Sequence, residues 1–151
     1  MKRDKAGRRV LMGQIDAGTY NGIENRIQLF DGKFTTGYRI VDFKITPQLP
    51  GSAYELIGKV STEPKSTIGY FNWNDVQEVA WATWNAPTNS RYGAFSLVRD
   101  GNMIIEDLWI SFYTTGEAIE CNYEIILEKY SFAAWDGAGI LVENLSQAGP
   151  Q

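Results

Sequence analysis

Tyr92-Gly93-Ala94-Phe95-Ser96-Leu97-Val98-Arg99-Asp100-Gly101-Asn102-Met103-Ile104-Ile105-Glu106-Asp107-Leu108-Trp109-Ile110-Ser111-Phe112-Tyr113-Thr114-Thr115-Gly116-Glu117, with Ala118 to Tyr130 behind it, is the stretch on which the fold turns. Asp-Gly between alternating apolar residues is a strong hairpin signal. The stretch reads as three antiparallel strands, Tyr92 to Val98, Met103 to Tyr113 and Ala118 to Tyr130, joined by turns at Arg99 to Asn102 and Thr114 to Glu117.

Placing Thr115-Gly116 in the loop sets Phe112 opposite Ile119, Ile110 opposite Cys121, Leu108 opposite Tyr123 and Ile104 opposite Leu127. Placing Asp100-Gly101 in the other sets Leu97 against Ile104 and Phe95 against Glu106. One face is then almost wholly apolar, as register requires, because a slip of one residue would reverse every side chain. Glu106 is the contradiction on that face, and a bulge that turns it outward resolves it. The opposite face carries Tyr92, Val98, Met103, Ile105, Trp109 and Tyr113 among Asp107, Glu120, Asn122, Glu124 and Glu128. So much apolar surface on an outer face calls for cover, from loops of the same chain or from a neighbouring subunit or ligand.

Upstream, strands are expected at Asn25 to Phe30, Gly37 to Thr46, Ala53 to Ser61 and Val76 to Trp84, with Val41, Phe43 and Ile45 sharing one face. About seven strands with turns about every ten residues predict an all-β, antiparallel β-sandwich or jelly roll. Glycines at 7, 13, 18 and 22 break up residues 1–24, which read as an extended N-terminal arm dependent on outside contacts. The sandwich domain is assigned to 25–130. Residues 131–151 form a C-terminal tail with room for a short helix at Ile140 to Gln147, whose Leu141 and Leu145 need cover.

With 151 residues, 44% of them hydrophobic and 21% charged, the chain fits one folded domain. It has no apolar run of membrane-spanning length and no apolar stretch of a signal peptide at its start, so a product made in a cytoplasm is expected. Histidine is absent. That removes Ser-His-Asp and Cys-His triads and histidine metal sites, and no cofactor or catalytic set is implied. The lone cysteine, Cys121, reads as a buried structural thiol.

The net charge of −4 is unevenly placed: +3 over residues 1–20, from Lys2, Arg3, Lys5, Arg8 and Arg9 against Asp4 and Asp16, and −7 over the rest. Such a basic arm reads either as a solvated, disordered terminus or as suited to an acidic protein partner; nucleic-acid contact would be weak and salt-sensitive.

Three constellations carry other chemistry. Asp107 opposite Glu124, with Glu120 and Glu128 beside them, is accounted for by side chains splayed into solvent or by an arginine from elsewhere, or could hold a hard cation such as calcium or serve as a glycosidase carboxylate pair. Tyr70, Phe71, Trp73, Trp81 and Trp84 read either as core or interface or as a stacking surface; Trp73, Trp81 and Trp84 are the candidate sugar platform of a carbohydrate-binding module. The same aromatics could stack single-stranded bases, against which the acidic body argues.

The runs Tyr38 to Ile45, Ile104 to Ile110 and Asn122 to Tyr130 resemble small structural proteins of marine bacteriophages, over roughly residues 25–147. The resemblance implies a non-enzymatic β-sandwich that assembles with copies of itself and other proteins of a virion, as a capsid shell, vertex or decoration subunit. Its assembly surface would comprise Arg3, Arg8 and Arg9 of the arm, Tyr92, Met103, Ile105, Trp109 and Tyr113 of the outer face, and Leu141 and Leu145 of the tail.

Overall fold

The computed structural model describes residues 4–16, 23–30, 32, 35–48, 55–64, 70–85, 93–99, 103–114, 120–132 and 139. Eight strands run in chain order: β1 (Asp4–Asp16), β2 (Ile23–Ile27), β3 (Thr36–Pro47), β4 (Glu55–Ser61), β5 (Glu78–Asn85), β6 (Gly93–Val98), β7 (Leu108–Thr114) and β8 (Glu120–Ser131). They form two antiparallel sheets, a three-stranded β1-β8-β3 and a five-stranded β2-β7-β4-β5-β6, which make a β-sandwich. The first strand pairs with the last, the second with the second last, and β4 with β5. The remaining nested pair, β3 with β6, is not made among the described residues; β6 pairs with β5 instead.

Alternation along the strands builds the core. Leu108, Ile110 and Phe112 of β7 and Leu56 and Val60 of β4 meet Cys121, Ile125 and Leu127 of β8 and Phe43 and Ile45 of β3, all buried. Gly58 belongs to this interior: a Cβ there would lie 3.1 Å from Ile45 and Phe112 side-chain carbons.

The three-strand meander is corrected. β6, β7 and β8 are not neighbours: β7 lies between β2 and β4, and β8 belongs to the other sheet. Phe112 faces Gly58 and Ile23 across its ladders, and Cys121 faces Ile15 and Pro47. The inward faces of β7 and β8 were nonetheless read correctly, because period two fixes which side is apolar without naming the strand that sits alongside. Past β6, the Arg99 amide donates to Val79 O at 2.8 Å. The chain then reaches β3, where Tyr38 and Ile104 exchange two 2.7 Å backbone bonds, before entering β7. A crossover replaces the first hairpin. Glu106 is exposed on it, outside any strand. Phe95 and Leu97, expected inside, are exposed, while Val98 packs on the core.

The N-terminal arm is corrected in the same way. Residues 4–16 are a full strand paired with β8 from Asp4 opposite Ser131 to Asp16 opposite Glu120. Leu11 and Ile15 pack on the core, and Gly13 lies over the Tyr123 ring, whose hydroxyl would be 2.6 Å from a Cβ at that position. Gly13 admits a close neighbour and does not break the strand.

In β3 the register shifts between Ile40 and Asp42. Ile40, Phe43 and Ile45 are therefore inward and Val41 is exposed, where unbroken alternation would have grouped Val41 with Phe43. Of the tail, Phe132 is buried with Met103 and Ile105 in a small second core flanked by Phe30 and Tyr130. Gly37 makes room for it, since a Cβ would meet Met103 Sδ and Phe132 Cε1 at 2.9 Å. The short helix expected at 140–147 lies outside the described residues.

Candidate functional site: the outer surfaces of the two sheets

Strand alternation that sends Leu56, Gly58 and Val60 inward sends Ile57, Lys59 and Ser61 to the outside of the five-stranded sheet. There Lys59 stands opposite Trp81 of β5, and Trp81 opposite Leu97 of β6. An outward lysine would ordinarily be solvated, yet Lys59 and Glu78 both have 0% exposed side chains, and Trp81 is 2% exposed. The cover is Tyr70 to Trp73 of the connection between β4 and β5, held over the two strands it joins.

That cover is held by matched polar groups. The Lys59 ammonium donates to Glu78 Oε2 at 3.3 Å and to the Tyr70 carbonyl at 3.0 Å. Glu78 Oε1 accepts from Trp81 Nε1 at 3.0 Å and from the Asn72 amide at 2.9 Å. Arg99 lies over the Trp81 ring, 5.2 Å from its centroid, and donates to the carbonyls of Glu78 at 3.0 Å and Trp73 at 2.8 Å. Trp73 meets Trp81 edge-on, their centroids 6.0 Å apart. Buried charges are tolerable when paired and hydrogen-bonded in this manner.

Beyond the cover the same face carries a row that register fixes: Phe95, Thr83, Ile57 and Tyr113, across β6, β5, β4 and β7. Phe95 is exposed and the other three half-buried. Trp109, two rows further along β7 opposite Ser61 and Arg26, is also half-buried.

At the start of β7, Asp107 ties down the end of β2. Its Oδ1 accepts from the amides of Leu29 at 2.9 Å and Phe30 at 3.1 Å, and its Oδ2 from Arg26 Nε at 2.6 Å. Burial opposes ionisation, but the Phe30 amide, the Arg26 guanidinium and the Leu29 amide together outweigh it and hold the carboxyl below its ordinary value.

The outside of the three-stranded sheet has no such cover among the described residues. Its cross-strand rows are exposed to half-buried: Gln14 Nε2 donates to Asn122 at 2.8 Å, Asn122 Nδ2 to Thr46 at 3.3 Å, and Arg39 pairs with Glu128 at 3.1 Å. On edge strand β1, Val10 is 48% and Met12 73% exposed, next to exposed Arg8 and Arg9.

Placed on this geometry, the expected surface divides. Arg8, Arg9, Trp109 and Tyr113 are at the exterior, Met103 and Ile105 are buried against Phe132, and Arg3, Tyr92, Leu141 and Leu145 lie outside the described residues. The proposed carboxylate pair is not formed. Asp107 is engaged by Arg26, whereas Glu124 stands in the other sheet between Met12 and Lys44, and no acidic group suited to a metal occurs among the described residues. Trp73, Trp81 and Trp84 do not make one platform either: Trp81 is buried on the outside of β5, Trp84 packs on the core on its other side, and Trp73 is exposed. Val10, Met12, Phe95 and Leu97 went unnoticed as exposed apolar groups. For Met12 the signal was the alternation of Leu11 and Ile15 with Met12 and Gln14, hidden by the glycines.

No family model matches the chain, and no curated protein matches it in sequence. Among solved structures it is similar to a chain from the structure of the infectious bursal disease virus Gt strain, at 10% identity and a TM-score of 0.29. That likeness covers 84% of this chain and 37% of the other, so the protein spans little more than a third of its length. A score at that level adds nothing to the functional reading. No helix among the described residues is long and apolar enough to cross a membrane.

Proposed function

We propose that the protein is a non-enzymatic virion structural subunit, made in a host cytoplasm, that assembles through the free edge of its three-stranded sheet. The observation that carries the assembly is β1: a thirteen-residue strand, paired on one side only among the described residues, that exposes Val10 and Met12. Long edge strands with exposed apolar groups invite another strand or sheet onto them. Arg8 and Arg9 beside that patch complement an acidic body, whose balance of −7 beyond residue 20 favours a second copy of the chain as partner. The row from Phe95 to Tyr113 offers a second contact on the other sheet. Symmetric repetition would multiply modest contacts into a stable shell or decoration layer. The virion setting rests on the resemblance of the strand pattern to phage structural proteins and on the nested wrapping of the strands, which approaches a jelly roll.

The test is solution mass by light scattering on the full chain beside Met12→Lys and Val10→Lys. A multimer that falls to monomer in either variant, with the fold intact by circular dichroism, supports assembly through β1. A multimer that both variants leave unchanged, or a monomer that neither a second copy nor isolated phage shells bind, overturns it.

A further inference from the structure

We propose that the tip Tyr70 to Asn74 is a binding site for neutral carbohydrate, separate from the assembly edge. Among the described residues Tyr70, 68% exposed, and Trp73, 56% exposed, are the aromatic side chains most open to solvent. Neither is on a loose segment: the Tyr70 carbonyl accepts from buried Lys59 and the Trp73 carbonyl from Arg99, while Trp81 braces the Trp73 ring from below. Pinning both aromatic residues through the backbone lowers the ordering cost of binding.

Between and beside them stand Asn72 and Asn74, both exposed. The backbone of Asn72 is fixed, its amide donating to Glu78 and its carbonyl accepting from the Asp75 amide at 3.0 Å. The side-chain amides of Asn72 and Asn74 have no partner among the described residues, so each offers two donors and an acceptor to solvent. The cations below are already engaged, Lys59 by Glu78 and Arg99 by carbonyls and the Trp81 ring. Among the described residues a phosphate backbone would find no free charge there. Rigid aromatic surface flanked by neutral amides matches a pyranose, which shows an apolar C–H face and a rim of hydroxyls.

The experiment titrates cellohexaose, maltohexaose, xylohexaose and chitohexaose into the full chain, following tryptophan fluorescence and heat, with a heparin hexasaccharide and a thymidine decanucleotide as charged probes. Saturable binding of a neutral oligosaccharide is expected, weakened about tenfold or more by Trp73→Ala and less by Asn74→Ala. Asn74→Ala removes only an exposed amide, so it stands as the test should Trp73→Ala fold poorly. Met12→Lys is expected to bind undiminished, which keeps this site separable from assembly. Absence of neutral-sugar binding at millimolar concentration, binding of the charged probes alone, or affinity indifferent to both tip variants overturns the proposal.

Discussion

The outsides of the two sheets solve opposite problems. The five-stranded sheet buries a lysine and a glutamate on its outer face and covers them with the chain that joins β4 to β5. The three-stranded sheet leaves its outer polar rows to solvent. The ion pairs look alike on paper, with Lys59 to Glu78 at 3.3 Å and Arg39 to Glu128 at 3.1 Å. Their surroundings set what each is worth. Breaking a fully dry pair strands a charge, while a half-buried one lets water take up part of the loss.

Mutation can break this contrast. Glu78→Ala is expected to destabilise by about 3–5 kcal/mol in denaturant unfolding, since it leaves the Lys59 ammonium buried without its carboxylate. The double change Lys59→Met with Glu78→Leu should recover most of that loss, because an apolar pair of similar volume carries no desolvation penalty. A double variant as unstable as Glu78→Ala would show that the hydrogen bonds of Glu78 to Trp81 and Asn72 matter more than the charge.

Asp107→Asn is expected to cost about 1–3 kcal/mol by breaking the Arg26 ion pair beside the two amides. Its pH dependence has a definite sign. The folded-state pKa is lowered, so the stabilisation is complete above the unfolded carboxylate value of about 3.9 and is lost as pH falls through the lower folded value. Stability curves between pH 2 and pH 6 should show a shallower acid limb in Asp107→Asn than in the parent.

On the open sheet, Gly13→Ala is expected to cost about 1–3 kcal/mol by overpacking against the Tyr123 ring. Combining it with Tyr123→Leu should recover part of that loss in thermal unfolding. The smallest effect belongs to the half-buried pair: Arg39→Lys keeps the charge beside Glu128 and should change stability by no more than about 1 kcal/mol. A loss as large as that of Glu78→Ala would dissolve the contrast between the two faces.

The sequence made the inward faces legible and left the neighbours hidden. Leu108, Ile110 and Phe112, and likewise Cys121 and Leu127, fall in the core by period two alone. Alternation is local, whereas pairing β8 with β1 joins residues more than a hundred positions apart, for which a single sequence has no signal. Hairpin chemistry at Asp100-Gly101 was overruled by the crossover through Ile104 to β3. The bulge at Val41 was equally invisible, because one inserted residue reverses the face without changing the composition. For the outer surfaces, alternation sends Lys59 away from the core and nothing in its spacing marks it as buried, and Trp73 read equally as core, interface or stacking surface. Their contact with Glu78 and Trp81 depends on the connection folding back, which no spacing encodes.

The placement of β8 in the middle of the three-stranded sheet has a consequence in time. On a ribosome β1 and β3 emerge early, yet each finds its only described ladder partner in β8, more than seventy residues after β3 ends. Until then one whole layer of the sandwich is unclosed, and its apolar residues stay available to other chains. Distant pairings of this kind slow folding and lengthen exposure to aggregation. The last described strand is therefore the one that closes the layer, so a ribosome stalled before residue 120 would hold β1 and β3 without the ladder partner they share.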